Sequence, residues 1–122
     1  MSTLRQPLSD DLRKIGVTEA DVNEYEHEVI VIHPGEYIRD ELDELGMSAN
    51  RLARELHVSP NRITAILNGQ RGITADTALR LARWMGTTPD IWMNLQKRYE
   101  LRLAELKAGQ RIIDEVKPRA AD

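Results

Sequence analysis

From Pro34 onward, the chain is divided at short intervals by residues that favour the beginning or the end of a helix. Hydroxyl side chains that can cap a helix amino terminus alternate with glycines that can end one: Ser48, Ser59, Thr74 and Thr88 for the first kind, and Gly46, Gly69, Gly86 and Gly109 for the second. Pro34, Pro60 and Pro89 suit first helical positions. This spacing predicts five short helices with tight connections, and therefore a compact all-α fold.

Each of these segments carries apolar residues at helical spacing. We expect an inward face made of Ile38, Leu42 and Leu45, then Leu52, Ala53 and Leu56, then Ile63, Ile66 and Leu67, and then Ala78, Leu79, Ala82, Trp84 and Met85. The fifth segment has an apolar stripe at Trp92, Leu95, Tyr99, Leu103 and Leu106. This stripe suits a core, and its length also suits a dimer interface around Trp92, Leu95 and Tyr99. No segment alternates well enough to predict a sheet.

The composition excludes several classes of function. The chain has no cysteine, which excludes disulfides, thiol catalysis and thiolate metal sites. Its three histidines, His27, His33 and His57, have no metal-ligand spacing, and no carboxylate pair, Ser/His/Asp set or phosphate-binding loop is present. We therefore expect neither an enzyme nor a metal or other cofactor. Without a membrane span or a signal peptide, a cytoplasmic protein is expected.

The charges are distributed unevenly along the chain. Residues 1–45 contain 4 basic and 12 acidic side chains, whereas residues 46–84, the basic segment, contain 6 basic and 2 acidic ones. Because salt screens charges beyond about 10 Å, a DNA phosphate responds to the local excess more than to the net charge. The basic segment favours a nucleic-acid partner, although these arginines could also simply solvate helix faces.

The front of the chain differs in character from the rest. Residues 1–32 form an acidic N-terminal extension, in which short helices are possible at Ser9–Ile15 and Thr18–His27, with an apolar run at Val29–Ile32 that suits a strand or a linker. A helical domain follows at 33–108, and a tail at 109–122. The extension could contact a basic protein partner, or it could be a tail without one.

Helices two and three are separated by about three residues around His57, Val58 and Ser59, which is typical of a helix-turn-helix motif. Ala53 is small where the two helices must approach each other, and Ile63 faces back toward helix two. The opposite side of helix three is then free to enter a DNA major groove, which is about 12 Å wide and admits one helix.

The candidate DNA-binding residues lie at the start of helix three, at the start of helix two and in the loop after helix three. Those at the start of helix three are Pro60, Asn61, Arg62, Thr64 and Ala65. An Asn can bond adenine, an Arg can bond guanine, and Thr or Ala can contact a thymine methyl group. Free backbone N–H groups at Ala49 and Asn50 suit a phosphate, as does the loop with Gln70 and Arg71. For Asn68, a local role at the helix end is favoured over DNA contact.

The segment from His33 to Glu105 resembles HigA-type antitoxins with an Xre-like, lambda-repressor-like helix-turn-helix. HPGE, NGQRGITADTALRLAR and IWMNLQ together carry this resemblance. It implies a homodimer that binds a palindromic operator, represses its own operon and neutralises a basic RelE-like or HigB-like RNA endonuclease toxin. It also implies that the positions near phosphates and bases are Asn50, Arg51, Ser59, Asn61, Arg62, Thr64 and Ala65. About 32 residues precede HPGE here, which is more than is usual among HigA-like chains.

Two other functions stay open at this point. The chain could be an Xre-like repressor without a toxin partner. It could also be an inhibitor that binds only protein and keeps the helix-turn-helix as a scaffold.

Overall fold

The computed structural model describes residues 31–120 of the 122-residue chain. Five helices follow one another: α1 Pro34–Leu45, α2 Ala49–Leu56, α3 Pro60–Leu67, α4 Ala75–Met85 and α5 Pro89–Glu115. The described residues contain no strand, so the expected all-α class with five helices is confirmed. The short helices expected at Ser9–Ile15 and Thr18–His27 lie outside the described residues, and Val31 and Ile32 have no regular secondary structure.

The helix boundaries follow the local sequence signals. The hydroxyls of Ser48, Ser59 and Thr74 each accept a hydrogen bond from the backbone N–H three residues further on. These bonds satisfy donors that have no partner within the helix. Gly46 and Gly86 end α1 and α4 in the left-handed conformation, at φ 62° and φ 74°. The predicted ends of α1 and α4 are therefore confirmed.

The end of the last helix was predicted wrongly. We expected Gly109 to end α5, but the helix continues through this glycine to Glu115. A glycine inside a helix costs only about 1 kcal/mol relative to alanine. The neighbouring Ala108, Gln110 and Arg111 are good helix formers, and α5 therefore extends into the predicted tail at 109–122.

The described residues belong to two compact units, of which one is Ile32–Tyr99 and the other includes residues 100–120. Buried side chains from all five helices and from one loop form the core of the first unit: Ile38, Leu42, Leu52, Ala53, Leu56, Ile63, Ile66, Ile73, Ala78, Leu81 and Trp92. In the described part of the second unit, Leu106 is buried. None of the described helices is both long and apolar enough to cross a membrane.

Two leucines that we expected in the core are exposed instead. Leu45 is 54% exposed and Leu79 is 60% exposed. Leu45 is the last residue of α1, directly before the glycine that ends the helix. Leu79 follows the fully buried Ala78, and one step along a helix turns the side chain by about 100° away from that inward direction.

The amino terminus of α1 lies directly against the carboxyl end of α3. A Cβ atom on Gly35 would clash with the backbone carbonyl of Ile66, so this close approach requires glycine. His33 caps α1, because its Nδ1 atom accepts a hydrogen bond from the Gly35 N–H at 2.9 Å. The HPGE motif therefore begins α1 and also fixes where α1 meets α3.

Gly35→Ala should lower the free energy of unfolding by more than about 2 kcal/mol, because the new methyl group displaces backbone rather than a flexible side chain. Gly86→Ala is the matched control. Nothing lies near its added Cβ, so only the left-handed backbone should cost about 1–2 kcal/mol. Urea denaturation measures both changes. A Gly35→Ala protein as stable as the wild type would contradict the close approach of α1 and α3.

Candidate nucleic-acid interface

The turn between α2 and α3 is closed by backbone hydrogen bonds. His57 adopts the left-handed conformation at φ 59°, and it is the one residue other than glycine with positive φ in the described part of the chain. The N–H of Val58 donates to the carbonyl of Ala53 at 3.0 Å. Ala53 is fully buried, as expected for a small residue where two helices approach each other. This geometry confirms the helix-turn-helix connection.

The packing of α3 determines which of its sides faces solvent. Ile63 and Ile66 are fully buried, whereas Asn61 and Thr64 are exposed. The start of the helix is held by Ser59, whose hydroxyl accepts from the Arg62 N–H at 3.2 Å. One side of α3 is therefore fixed in the core, and its first turn presents polar groups outward.

The structure places the predicted DNA-binding residues on three short segments, which are the first turn of α2, the first turns of α3 and the loop after α3. The exposed members are Asn50, Arg51, Ser59, Pro60, Asn61, Thr64, Gln70 and Arg71. The half-buried members are Ala49, Arg62 and Ala65. None is in the core, and their contacts with DNA stay a prediction.

Arg62 is held by Asp76, which was not among the predicted DNA-binding residues. Its Nη1 atom donates to Asp76 Oδ2 at 2.7 Å, and Arg80 Nε donates to the same oxygen at 2.8 Å. Arg80 also donates through Nη1 to the carbonyl of Leu56 at 2.9 Å, at the end of α2. Hydrogen bonds from Arg80 and then Arg62 lower the pKa of Asp76, so this carboxylate is charged at neutral pH. The sequence signal was present, because Asp76 is one of only two acids in the basic segment.

The other acid of the basic segment, Glu55, has a similar role on α2. It accepts hydrogen bonds from Arg51 Nε at 2.9 Å and from Trp84 Nε1 at 2.7 Å. The bond from Trp84, followed by that from Arg51, lowers the pKa of Glu55. Glu55 therefore connects a candidate phosphate-binding arginine to α4.

The loop after α3 is fixed by two other helices. Arg39 of α1 donates to the carbonyl of Leu67 at 3.1 Å. Gln96 of α5 accepts the buried N–H of Ile73 at 2.7 Å, and a Cβ atom on Gly72 would lie only 2.6 Å from the same side chain. Asn68 is the C-cap residue of α3, which is the local role that we favoured.

The candidate dimer residues lie mainly inside a single chain. Trp92 is 4% exposed and belongs to the core, Tyr99 is 8% exposed, and Leu95 is half-buried against the core. The ring of Tyr99 packs edge-on against His33, with ring centres 4.8 Å apart. The core role of the stripe is confirmed, and its role in a dimer stays a prediction. The described residues hold no cluster of His, Asp or Glu that could bind a metal ion.

Comparison with known proteins identifies the family. A family model described as helix-turn-helix matches residues 38–92. Virulence-associated protein I of Dichelobacter nodosus is 54% identical over 80 residues, which are 65% of this chain and 74% of that protein. A solved antidote protein of the HigA family from Coxiella burnetii is 56% identical, with a TM-score of 0.71 over 72% of this chain and 97% of that one. The Pseudomonas aeruginosa antitoxin HigA, solved with the higBA promoter, is 44% identical, with a TM-score of 0.72 over 75% of this chain and all of that one (100%).

The chain belongs to the HigA-type helix-turn-helix family. The resemblance that starts at HPGE is thus confirmed, and this HigA-type chain is a helix-turn-helix DNA-binding regulator. The similar proteins include antitoxins and helix-turn-helix transcriptional regulators.

Replacing Gln96 by Met should destabilise this HigA-type chain by about 1–3 kcal/mol, because the buried N–H of Ile73 loses its acceptor. Gln110→Met is the matched control, since Gln110 is exposed on the same helix and should change stability by less than about 0.5 kcal/mol. Thermal unfolding gives both values, and amide exchange at Ile73 should accelerate in the first variant. Equal stability of the two variants would show that the Gln96 bond does not hold the loop.

Proposed function

We propose that this HigA-type chain is the antitoxin of a type II toxin–antitoxin system. It binds a palindromic operator as a homodimer, represses its own operon and neutralises a basic RelE-like or HigB-like RNA endonuclease. The observation that carries this proposal is the exposed polar first turn of α3, which is fixed from behind by the buried Ile63 and Ile66 within a basic segment. A similar antitoxin solved with its promoter supports a DNA partner.

In the proposed complex, α3 enters the major groove with its amino-terminal end toward the bases. Asn61 and Thr64 are exposed there, and Arg62 stands beside them at the rim of the core. The first turn of α2 offers backbone N–H groups to a phosphate, which the helix dipole also favours. Arg71 is exposed in the loop after α3 and has no ion pair among the described residues, so it is free to meet the DNA backbone.

The proposed dimer follows from the geometry of recognition. One helix in one half-site gives little specificity, whereas two helices about 34 Å apart match successive turns of a palindrome. Because Trp92 and Tyr99 are largely buried in their own chain, the half-buried Leu95 is the member of this set with more surface to offer to a second copy.

Two arginine substitutions should affect DNA binding differently. Arg71→Ala should weaken operator and unrelated DNA alike and reduce the salt slope by about one, because one phosphate contact is lost. Arg62→Ala should weaken operator binding by about 1–3 kcal/mol and leave unrelated DNA nearly unchanged, because a guanine contact is lost. Fluorescence anisotropy with DNA from upstream of the gene, at two salt concentrations, measures these effects.

The same titration gives the stoichiometry, for which we expect two chains per palindrome. An Arg62→Ala protein with unchanged operator affinity would contradict the orientation proposed for α3. Failure of the wild-type protein to prefer upstream DNA over a scrambled duplex would overturn the repressor function itself.

The toxin partner is proposed from charge. Residues 1–32 hold 7 acidic and 3 basic side chains, so DNA phosphates would repel this extension, whereas a basic toxin would attract it. Deleting residues 1–28 should leave operator affinity within about threefold and weaken toxin binding at least about tenfold, or about 1.4 kcal/mol. Calorimetry at physiological salt with the basic product of the adjacent gene measures the toxin affinity.

The matched control keeps the extension but changes the acidic residues of 1–28 to their amides. A loss of toxin affinity equal to that of the deletion would assign the effect to charge, and a smaller loss would assign part of it to direct packing. Equal toxin affinity of the deleted and full-length chains would instead place the toxin on the helical domain. Absence of any toxin binding would favour an Xre-like repressor without a toxin.

A further inference from the structure

Asp76 connects three helices through a single carboxylate. It lies in the first turn of α4, outside the helix-turn-helix formed by α2 and α3. Its Oδ2 atom accepts from Arg62 of α3 and from Arg80, and Arg80 in turn bonds the carbonyl at the end of α2. The carboxylate is thus placed by both α2 and α4, and it holds a side chain of α3.

The bond to Asp76 leaves part of the Arg62 guanidinium free. Only Nη1 is engaged, and the Nε and Nη2 donors have no hydrogen-bond partner in the part of the chain that the structure describes. The Arg62 side chain is 26% exposed, so it can be reached from outside while most of it is packed. Two neighbouring N–H donors of a guanidinium match the O6 and N7 acceptors of guanine.

We propose that Asp76 is a positioning residue for operator recognition, which orients the Arg62 guanidinium so that its free Nε and Nη2 donors meet a guanine edge. This inference rests on the proposed binding of operator DNA by α3. Asp76 itself does not contact DNA in this arrangement. It acts by restricting the rotamers of a long side chain before the DNA arrives, which reduces the entropy lost on binding.

Because Asp76 is charged, the direction in which its removal changes DNA affinity tests this proposal. A carboxylate near DNA repels phosphates, so removing it should by itself strengthen binding to DNA of any sequence. If Asp76 positions Arg62, removing the carboxylate should instead weaken binding to the operator, and only to the operator. A role of Asp76 as a competitor, which keeps Arg62 away from DNA, would instead predict stronger operator binding after its removal.

The test compares Asp76→Asn with Asp90→Asn in the full-length chain. Both residues are exposed acids in the first turn of a helix, but Asp90 has no hydrogen bond to an arginine among residues 31–120. Asp76→Asn should weaken operator binding about tenfold, within the range for loss of a guanine contact, with unrelated DNA bound equally or more tightly. Asp90→Asn should change both affinities by less than about twofold.

The same substitution in an Arg62→Ala background separates positioning from folding. If Asp76 acts through Arg62, Asp76→Asn should no longer weaken operator binding in that background, where it should leave the affinity unchanged or raise it slightly. Unchanged or stronger operator binding by Asp76→Asn in the otherwise wild-type chain would overturn the inference. An equal loss of affinity for operator and unrelated DNA in both backgrounds would also overturn it, because such a loss would indicate a general structural effect. Thermal unfolding of each variant would detect this effect independently.

The wild-type measurement distinguishes the two levels of the proposal. If the wild-type protein prefers operator over scrambled DNA and Asp76→Asn shows the same preference undiminished, only the positioning role is overturned. If the wild-type protein shows no preference, the proposed operator binding fails, and the role of Asp76 fails with it.

Discussion

The burial of Ile63 and Ile66 fixes α3 to the rest of the molecule, and the side of α3 that can face a partner follows from it. A helix of 8 residues is too short to be stable alone in water, so its conformation depends on this packing and on its caps. The two isoleucines stand three residues apart and therefore share one face. Asn61 and Thr64 lie on the remaining surface. The three-residue spacing of the two isoleucines therefore determines both the core packing of α3 and the side that it offers for the proposed DNA contact.

The positions of α3 and of the loop after it are further set by contacts from each of the other helices. α1 meets its carboxyl end at Gly35 and Arg39, α2 enters through the turn at His57, α4 holds Arg62 through Asp76, and α5 holds the following loop through Gln96. A motif of two helices would leave the direction of α3 poorly determined. The five-helix domain is therefore the smallest part of this chain in which we expect the DNA-binding residues to keep one arrangement.

The sequence predicted those parts of the structure that depend on local chemistry. Ser48, Ser59 and Thr74 cap helices, because hydroxyl capping needs only the next three residues. The continuation of α5 past Gly109 and the exposure of Leu79 were not predicted. Helix propensity and apolar periodicity are local, and they do not show which residues the rest of the protein covers. The contact between Asp76 and Arg62 joins residues 14 positions apart, so no helical or turn spacing indicates it. The excess of arginines over acids in the basic segment was the available signal.

The two acids of the basic segment explain how this region can be strongly positive and still well ordered. Glu55 and Asp76 are both bonded by arginines, so their charges are largely compensated within the domain and serve to orient Arg51, Arg62 and Arg80. Arg54, Arg71 and Arg83 have no carboxylate partner among the described residues. Charges without such partners dominate the field that a phosphate meets at the surface. The arginines of this segment therefore fall into two groups, one held in fixed geometry that suits specific contacts and one free to provide general attraction to DNA.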